Sequence, residues 1–234
     1  MRKIMSLTRK LIEEQSLIEN GDKIAVGLSG GKDSLALMVA LREFQKFSDK
    51  KFDLVAISVD LSNGEMDYSE VADFCKQHEV EFYIENSNVF EIVFDIKKEK
   101  NPCSLCANMR RGILNTAAKK LGCNKVALAH HSDDLVETFL MSMFFEGRLY
   151  VMQPKSYLSR TELTVIRPFL LVEENDIINS TKNMPIIHNI CPKNHFSERE
   201  NAKKIMEKLN NLYPNCKNKI LNALVHPERY NLWK

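Results

Sequence analysis

The stretch Lys23-Ile24-Ala25-Val26-Gly27-Leu28-Ser29-Gly30-Gly31-Lys32-Asp33-Ser34-Leu35-Ala36-Leu37-Met38 decides the fold. Its first part, KIAVGL, is a short apolar run and predicts a buried strand. Ser29 to Ser34 form a turn rich in small residues. Leu35, Met38, Val39 and Leu41 then recur at helical, core-facing spacings. A strand, a glycine turn and a helix start together make an anion site. Glycines let the backbone come close to a phosphate, and the helix N-terminus aims unpaired N–H groups and a partial positive charge at it. Ser29, Gly30, Gly31, Lys32, Asp33 and Ser34 are therefore candidate phosphate-binding residues, with hydroxyls at both ends and a lysine between.

Working outward, residues 1–20 predict a basic, amphipathic leading helix, and Asn20-Gly21-Asp22 the turn into the first strand. Residues 52–60, 81–84, 126–130 and 164–169 predict four further strands. Helical patterns fall between them, at 69–78, 104–120 and 133–145. Residues 87–100 fit helix or loop, and 147–159 read as irregular. Three more helices are expected around 173–183, 198–212 and 217–225. Alternating strands and helices predict an α/β fold: a doubly wound, mostly parallel, five-stranded sheet followed by C-terminal helices. Residues 1–22 would lead, 23–172 would form the catalytic domain, and 173–234 a helical extension. Ligands of such sheets sit beyond the carboxyl ends of the strands. That rule puts the 29–34 turn, Asp60-Leu61-Ser62 and His130-His131-Ser132-Asp133-Asp134 along one crevice.

At 234 residues and 44% hydrophobic content the chain can bury a real core. No apolar run reaches membrane-spanning length and no leader is recognisable, so the expected setting is cytoplasmic, with no membrane partner. The net charge of +2 does not by itself announce nucleic acid. Local clusters do suggest a phosphate backbone: Lys97, Lys98, Lys100, Arg110 and Arg111 surround a cysteine pair, and Lys203, Lys204, Lys208, Lys217 and Lys219 crowd the C-terminal part. For any single such cluster a solvated helix face is the commoner explanation.

Two further constellations carry chemistry. Paired carboxylates at a strand-to-helix turn, Asp133 and Asp134, are costly to bury uncompensated. Beside a bound phosphate group they could hold Mg²⁺, while Asp133 could instead cap the helix. Cys103-Ser104-Leu105-Cys106 places two thiols near a helix start, which favours thiolate. Arg110 lies one turn beyond Cys106 on the same face. Cys191, in a loop between helices, is the best third thiol; Cys75 and Cys123 sit in apolar patterns and read as packing residues, and Cys216 fits either role. Three thiolates would leave one iron of a four-iron cluster open. Structural zinc on the same cysteines with His188 or His195 is the competing reading, as is a persulfide on Cys106 or Cys191 with no cluster.

SGGKDS, PCSLCANMRRG, LAHHSDDLVET, Met152-Gln153-Pro154-Lys155, VIRPF and PIIHNICP occur here in one order. The first resembles the pyrophosphate loop of ATP pyrophosphatases. Together, over roughly residues 20–225, they resemble the tRNA two-thiocytidine synthetase family of adenine nucleotide alpha-hydrolase-like proteins. That resemblance implies an ATP-dependent tRNA sulfurtransferase that adenylates a base carbonyl and modifies cytidine 32. It implies a [4Fe-4S] cluster on Cys103, Cys106 and Cys191. It makes Asp33, Asp134 and Arg110 the candidate catalytic residues, and adds Asp60 and His130 to the 29–34 turn as nucleotide contacts. Implied cofactors are ATP and Mg²⁺ with the cluster. Implied partners are tRNA, a sulfur donor such as a cysteine desulfurase or sulfide, and a second copy in a homodimer. The chain departs from the family after Cys191, where Pro192-Lys193-Asn194-His195 replaces a Gly-Ser-Gln-like segment. An ATP-binding sensor or partner subunit without turnover is the alternative of a different class.

Overall fold

The computed structural model describes residues 1–96, 102–187 and 198–230. A leading helix, α1 (Arg2–Glu14), precedes β1 (Lys23–Leu28), α2 (Lys32–Phe47), β2 (Asp53–Asp60), α3 (Ser69–Gln77) and β3 (Glu81–Asn86). One π-helical turn (Glu91–Ile96) follows, then α4 (Pro102–Lys120), β4 (Lys125–Ala127) and α5 (Ser132–Glu146). The chain continues through β5 (Lys155–Leu158), β6 (Leu163–Ile166), α6 (Glu174–Ser180), α7 (Glu198–Leu212) and α8 (Cys216–Leu224).

The sheet has six strands rather than the five expected, in the order β3-β2-β1-β4-β6-β5. The extra strand is β5, which pairs antiparallel with β6 inside the stretch read as irregular. It is a four-residue edge strand carrying exposed Lys155 and Tyr157. A short, polar edge has too weak an alternation to stand out in sequence. All other pairings are parallel.

The strand order places the site. From β1 the chain winds outward through β2 and β3, then returns to lay β4 on the other side of β1. The reversal makes a crevice at the carboxyl ends of β1 and β4. Alternation along β1 divides the core. Ile24, Val26 and Leu28 pack with α1 and α2, and Ala25 packs with Leu114, Ala117 and Ala118 of α4. Gly27 sits where a Cβ would meet the Leu114 side chain at 2.8 Å, so α4 lies tight against β1 at this residue. That contact fixes the helix bearing Cys103 and Cys106. At the opposite end of the sheet, buried Lys125 of β4 is held by Asp22 at 2.7 Å, Glu19 at 3.0 Å and the Leu17 carbonyl. Paired in this way, a lysine is tolerated in a central strand. Cys75 and Cys123 are buried, and burial pushes the Cys75 thiol up to about 11. Cys216 is half-buried and packs with the α5–α7–α8 cluster.

Candidate active site

The β1–α2 turn braces itself. The Ser34 hydroxyl donates to the Gly31 carbonyl at 2.9 Å and accepts from the Ser29 N–H at 3.1 Å. The two serine hydroxyls lie 3.2 Å apart. Gly31 is the N-cap of α2 and supplies no side chain to it, so the first-turn N–H groups have no side-chain cap. This is the geometry that binds phosphate. Gly30 has φ +77°, and Ile187 packs so close that a Cβ there would meet its Cβ at 2.9 Å. The Ile187 N–H donates to the Gly30 carbonyl at 2.9 Å.

Across the crevice, α5 starts with a capping box. His131 N–H donates to Asp134 Oδ2 at 3.0 Å, and Asp134 N–H donates to His131 Nδ1 at 3.4 Å. His131, rather than Asp133, is the N-cap. Asp133 has another employment: Lys217 of α8 reaches it at 2.5 Å and the Glu174 N–H donates to it at 2.9 Å. Burial alone would raise the Asp133 carboxyl, but these partners hold it below its ordinary value.

A cavity of about 560 Å³ lies between these turns. It is of a size that suits a nucleotide-class ligand. Ser29, Asp33 and Ser34 line it from one side, His130 and Asp134 from another, and Cys103, Cys106 and Arg110 from α4. The three α4 residues stand at i, i+3 and i+7, one face of the helix. Asp33 Oδ1 and His130 Nδ1 are buried there without a hydrogen-bond partner among the described residues. Buried polar atoms of this kind are costly unless a ligand satisfies them, and they fit a cation or a nucleotide. Burial pushes the His130 imidazole down to about 4, so it is neutral at pH 7. Burial also lowers Arg110.

Other expected contacts lie elsewhere. Lys32 turns to Glu174 at 3.0 Å and Asp33 at 3.1 Å. The Asp60 carboxylate accepts from Ser62 N–H and Oγ and from Gly64 N–H, which pins the β2 exit turn. Cys191 lies outside the described residues, with His188 and His195, as do Lys97, Lys98 and Lys100. Among the described residues no group of three metal-ligating side chains is assembled. Cys103 and Cys106 supply two thiols beside the cavity, which fits part of a cluster's ligand set.

Residues 2–197 match the family model for the PP-loop domain. The chain is 35% identical over 228 residues to the tRNA-cytidine(32) 2-sulfurtransferase of Geobacter sulfurreducens, covering 95% of this chain and 89% of that protein. It is 36% identical to tRNA-cytidine(32) 2-sulfurtransferase 1 of Francisella philomiragia, with 95% and 89% covered. The chain belongs to the tRNA-cytidine(32) 2-sulfurtransferase family of PP-loop proteins. Among solved structures it superposes on the U34-tRNA thiolase NcsA from Methanococcus maripaludis with its [4Fe-4S] cluster, at TM-score 0.74 and 24% identity, over 97% of this chain and 80% of that one. It also superposes on the NH3-dependent NAD synthetase of Campylobacter jejuni at TM-score 0.51 and 16% identity, over 100% and 98%. These likenesses establish the shared fold.

In this sulfurtransferase-family chain the structure adds residues that sequence reading passed over. Arg199, on the first turn of α7, lines the cavity and bonds to Asp134 at 2.5 Å and Glu137 at 3.2 Å. Burial pushes the Glu137 carboxyl up to about 7, against the pull of Arg199. Glu174 joins Lys32 to Lys203 of α7. Nothing in a charged helical pattern singles out Arg199 or Glu174, because their partners are far away in sequence.

Proposed function

We propose that this chain is an ATP-dependent tRNA sulfurtransferase that thiolates a cytidine of the anticodon loop, with cytidine 32 the target. One observation carries the reading: the uncapped β1–α2 turn and the Cys103–Cys106 pair line the same cavity. ATP activation and sulfur handling are thereby brought within reach of one base. The names of the relatives support the choice of substrate.

The base enters the crevice unstacked, which costs least in a single-stranded loop. Its carbonyl oxygen attacks the α-phosphorus of ATP. An O–P bond forms, the bond to pyrophosphate breaks, and the electron pair leaves with pyrophosphate. The phosphates lie on the α2 N-terminus, where unpaired N–H groups and the Ser29 and Ser34 hydroxyls meet their charge. Asp33 and Asp134 would hold Mg²⁺ with the phosphate oxygens. Hydrosulfide then attacks the activated carbon, AMP departs with the C–O electron pair, and the S–H proton is released. Cys103, Cys106 and Cys191 would hold a [4Fe-4S] cluster, which would supply a binding place for sulfur. Arg110 puts a half-buried positive charge beside Cys106, which favours thiolate. Arg110, Arg111 and the neighbouring lysines would draw in the tRNA backbone.

The test incubates anaerobically reconstituted protein with ATP, Mg²⁺, sulfide and tRNA, then digests the RNA for nucleoside mass spectrometry. Two-thiocytidine is the expected product. A different thiolated base would reject the substrate and keep the mechanism. AMP formation without any thiolated nucleoside would reject sulfur transfer.

A further inference from the structure

Arg199 is the cavity-lining cation that the mechanism above leaves without a task. It enters from α7, and its Nη1 is shared between Asp134 Oδ1 at 2.5 Å and Glu137 Oε2 at 3.2 Å. Among the described residues its Nη2 makes a long contact, 3.5 Å, with the Thr138 hydroxyl. The side chain keeps 42% of its surface exposed, so it is held by charge more than by packing. Asp134 is thus occupied by a guanidinium on one oxygen, while its other oxygen caps α5 through the His131 N–H. A cation arriving at Asp134 Oδ1 competes there with Arg199.

The displaced guanidinium would still face the cavity. Its planar fork of N–H donors matches two phosphate oxygens at once, which a lysine ammonium cannot do. Resting on the ATP-dependent reading, we infer that Arg199 guards Asp134 in the empty enzyme and moves to a nucleotide phosphate when a divalent cation takes the carboxylate. There it stabilises the charge that gathers as the bond from the α-phosphorus to pyrophosphate breaks and its electron pair leaves. Arg199 becomes a catalytic residue on loading, supplied by α7 to a site otherwise built from the carboxyl-end turns of the sheet and from α4.

The experiment measures Mn²⁺ binding to nucleotide-free full-length protein by the electron spin resonance of the unbound ion. AMP formation with ATP and tRNA is measured alongside. Removing a unit charge at this range changes ion binding by roughly tenfold or more. Arg199→Gln is therefore expected to bind Mn²⁺ that much more tightly than wild type. The same variant should lose AMP formation by about a hundredfold, the usual cost of one lost transition-state donor. Arg199→Lys keeps the charge without the fork, so it should restore the weak Mn²⁺ binding and little of the activity; it also serves should Arg199→Gln fail to fold. In an Asp134→Asn background, Arg199→Gln should no longer tighten Mn²⁺. A purely structural arginine would lose metal affinity and thermal stability together, which overturns the inference. So does AMP formation within threefold of wild type. Wild-type protein that makes no AMP with tRNA overturns the sulfurtransferase reading instead; the Mn²⁺ comparison, made without nucleotide, then still decides whether Arg199 and a cation compete for Asp134.

Discussion

Replacing Gly30 by alanine tests whether the phosphate turn is also the seat of the segment that leads toward Cys191. Two penalties add. Gly30 has φ +77°, and a left-handed backbone costs a residue with a Cβ about 1–2 kcal/mol. The new methyl would also lie 2.9 Å from Ile187 Cβ and 3.1 Å from its Cδ1. The Cβ is fixed to its backbone, so relief requires Ile187 to move and weakens its N–H bond to the Gly30 carbonyl. Overpacking of this kind costs about 1–3 kcal/mol. The expected loss is about 2–5 kcal/mol, a fall of roughly 4–20 °C in Tm for a chain of this size. Gly122→Ala is the control: Gly122 has φ +73° with nothing within 4 Å of a new Cβ, so it reports strain alone. Urea unfolding of both variants gives the two numbers. If Gly30→Ala loses no more stability than Gly122→Ala, the close approach of Ile187 is not what Gly30 serves.

Asp33→Ala should abolish AMP formation with little change in unfolding midpoint, since among the described residues Asp33 Oδ1 has no hydrogen bond to lose and Oδ2 has a part-exposed one from Lys32, which keeps Glu174 as a partner; undiminished turnover would remove Asp33 from the site. Cys103→Ala should drop the iron content of anaerobically reconstituted protein well below the roughly four irons per chain of a full cluster. Stoichiometric zinc without iron in the wild type would replace the cluster by a structural metal. Glu137 predicts a pH dependence of stability. Its folded carboxyl keeps a proton up to about 7, whereas the unfolded carboxyl releases it near 4.5. The unfolded state therefore binds fewer protons between those values, and wild-type stability falls as pH rises through that window. Glu137→Gln lacks this effect, so its stability relative to wild type should improve from pH 5 to pH 8; a gap that stays constant would show that Glu137 is ionised in the fold.

Much of this was already legible in the residues. KIAVGL, SGGKDS and the apolar helix after them fixed β1, the phosphate turn and α2, because a buried strand, a glycine turn and a helix start are written in local pattern and spacing. Alternation of the remaining strands and helices gave the doubly wound class, and the i, i+3 spacing of Cys103 and Cys106 put both thiols on one face of α4. Strand order was not legible, since any order satisfies the same local patterns; only the packed sheet shows β4 beside β1 and so puts the crevice between them. β5 escaped because an exposed edge strand has little hydrophobic signal. The sharing of roles among charged residues was tertiary too. Asp133 and Asp134 are neighbours in sequence, yet Lys217 draws one away while the other lines the cavity. Lys32 turns to Glu174, and Arg199 reaches Asp134 from a helix 65 residues further on. Ion pairs depend on distances of a few ångströms between long side chains on separate elements, and those distances exist only once the elements have packed.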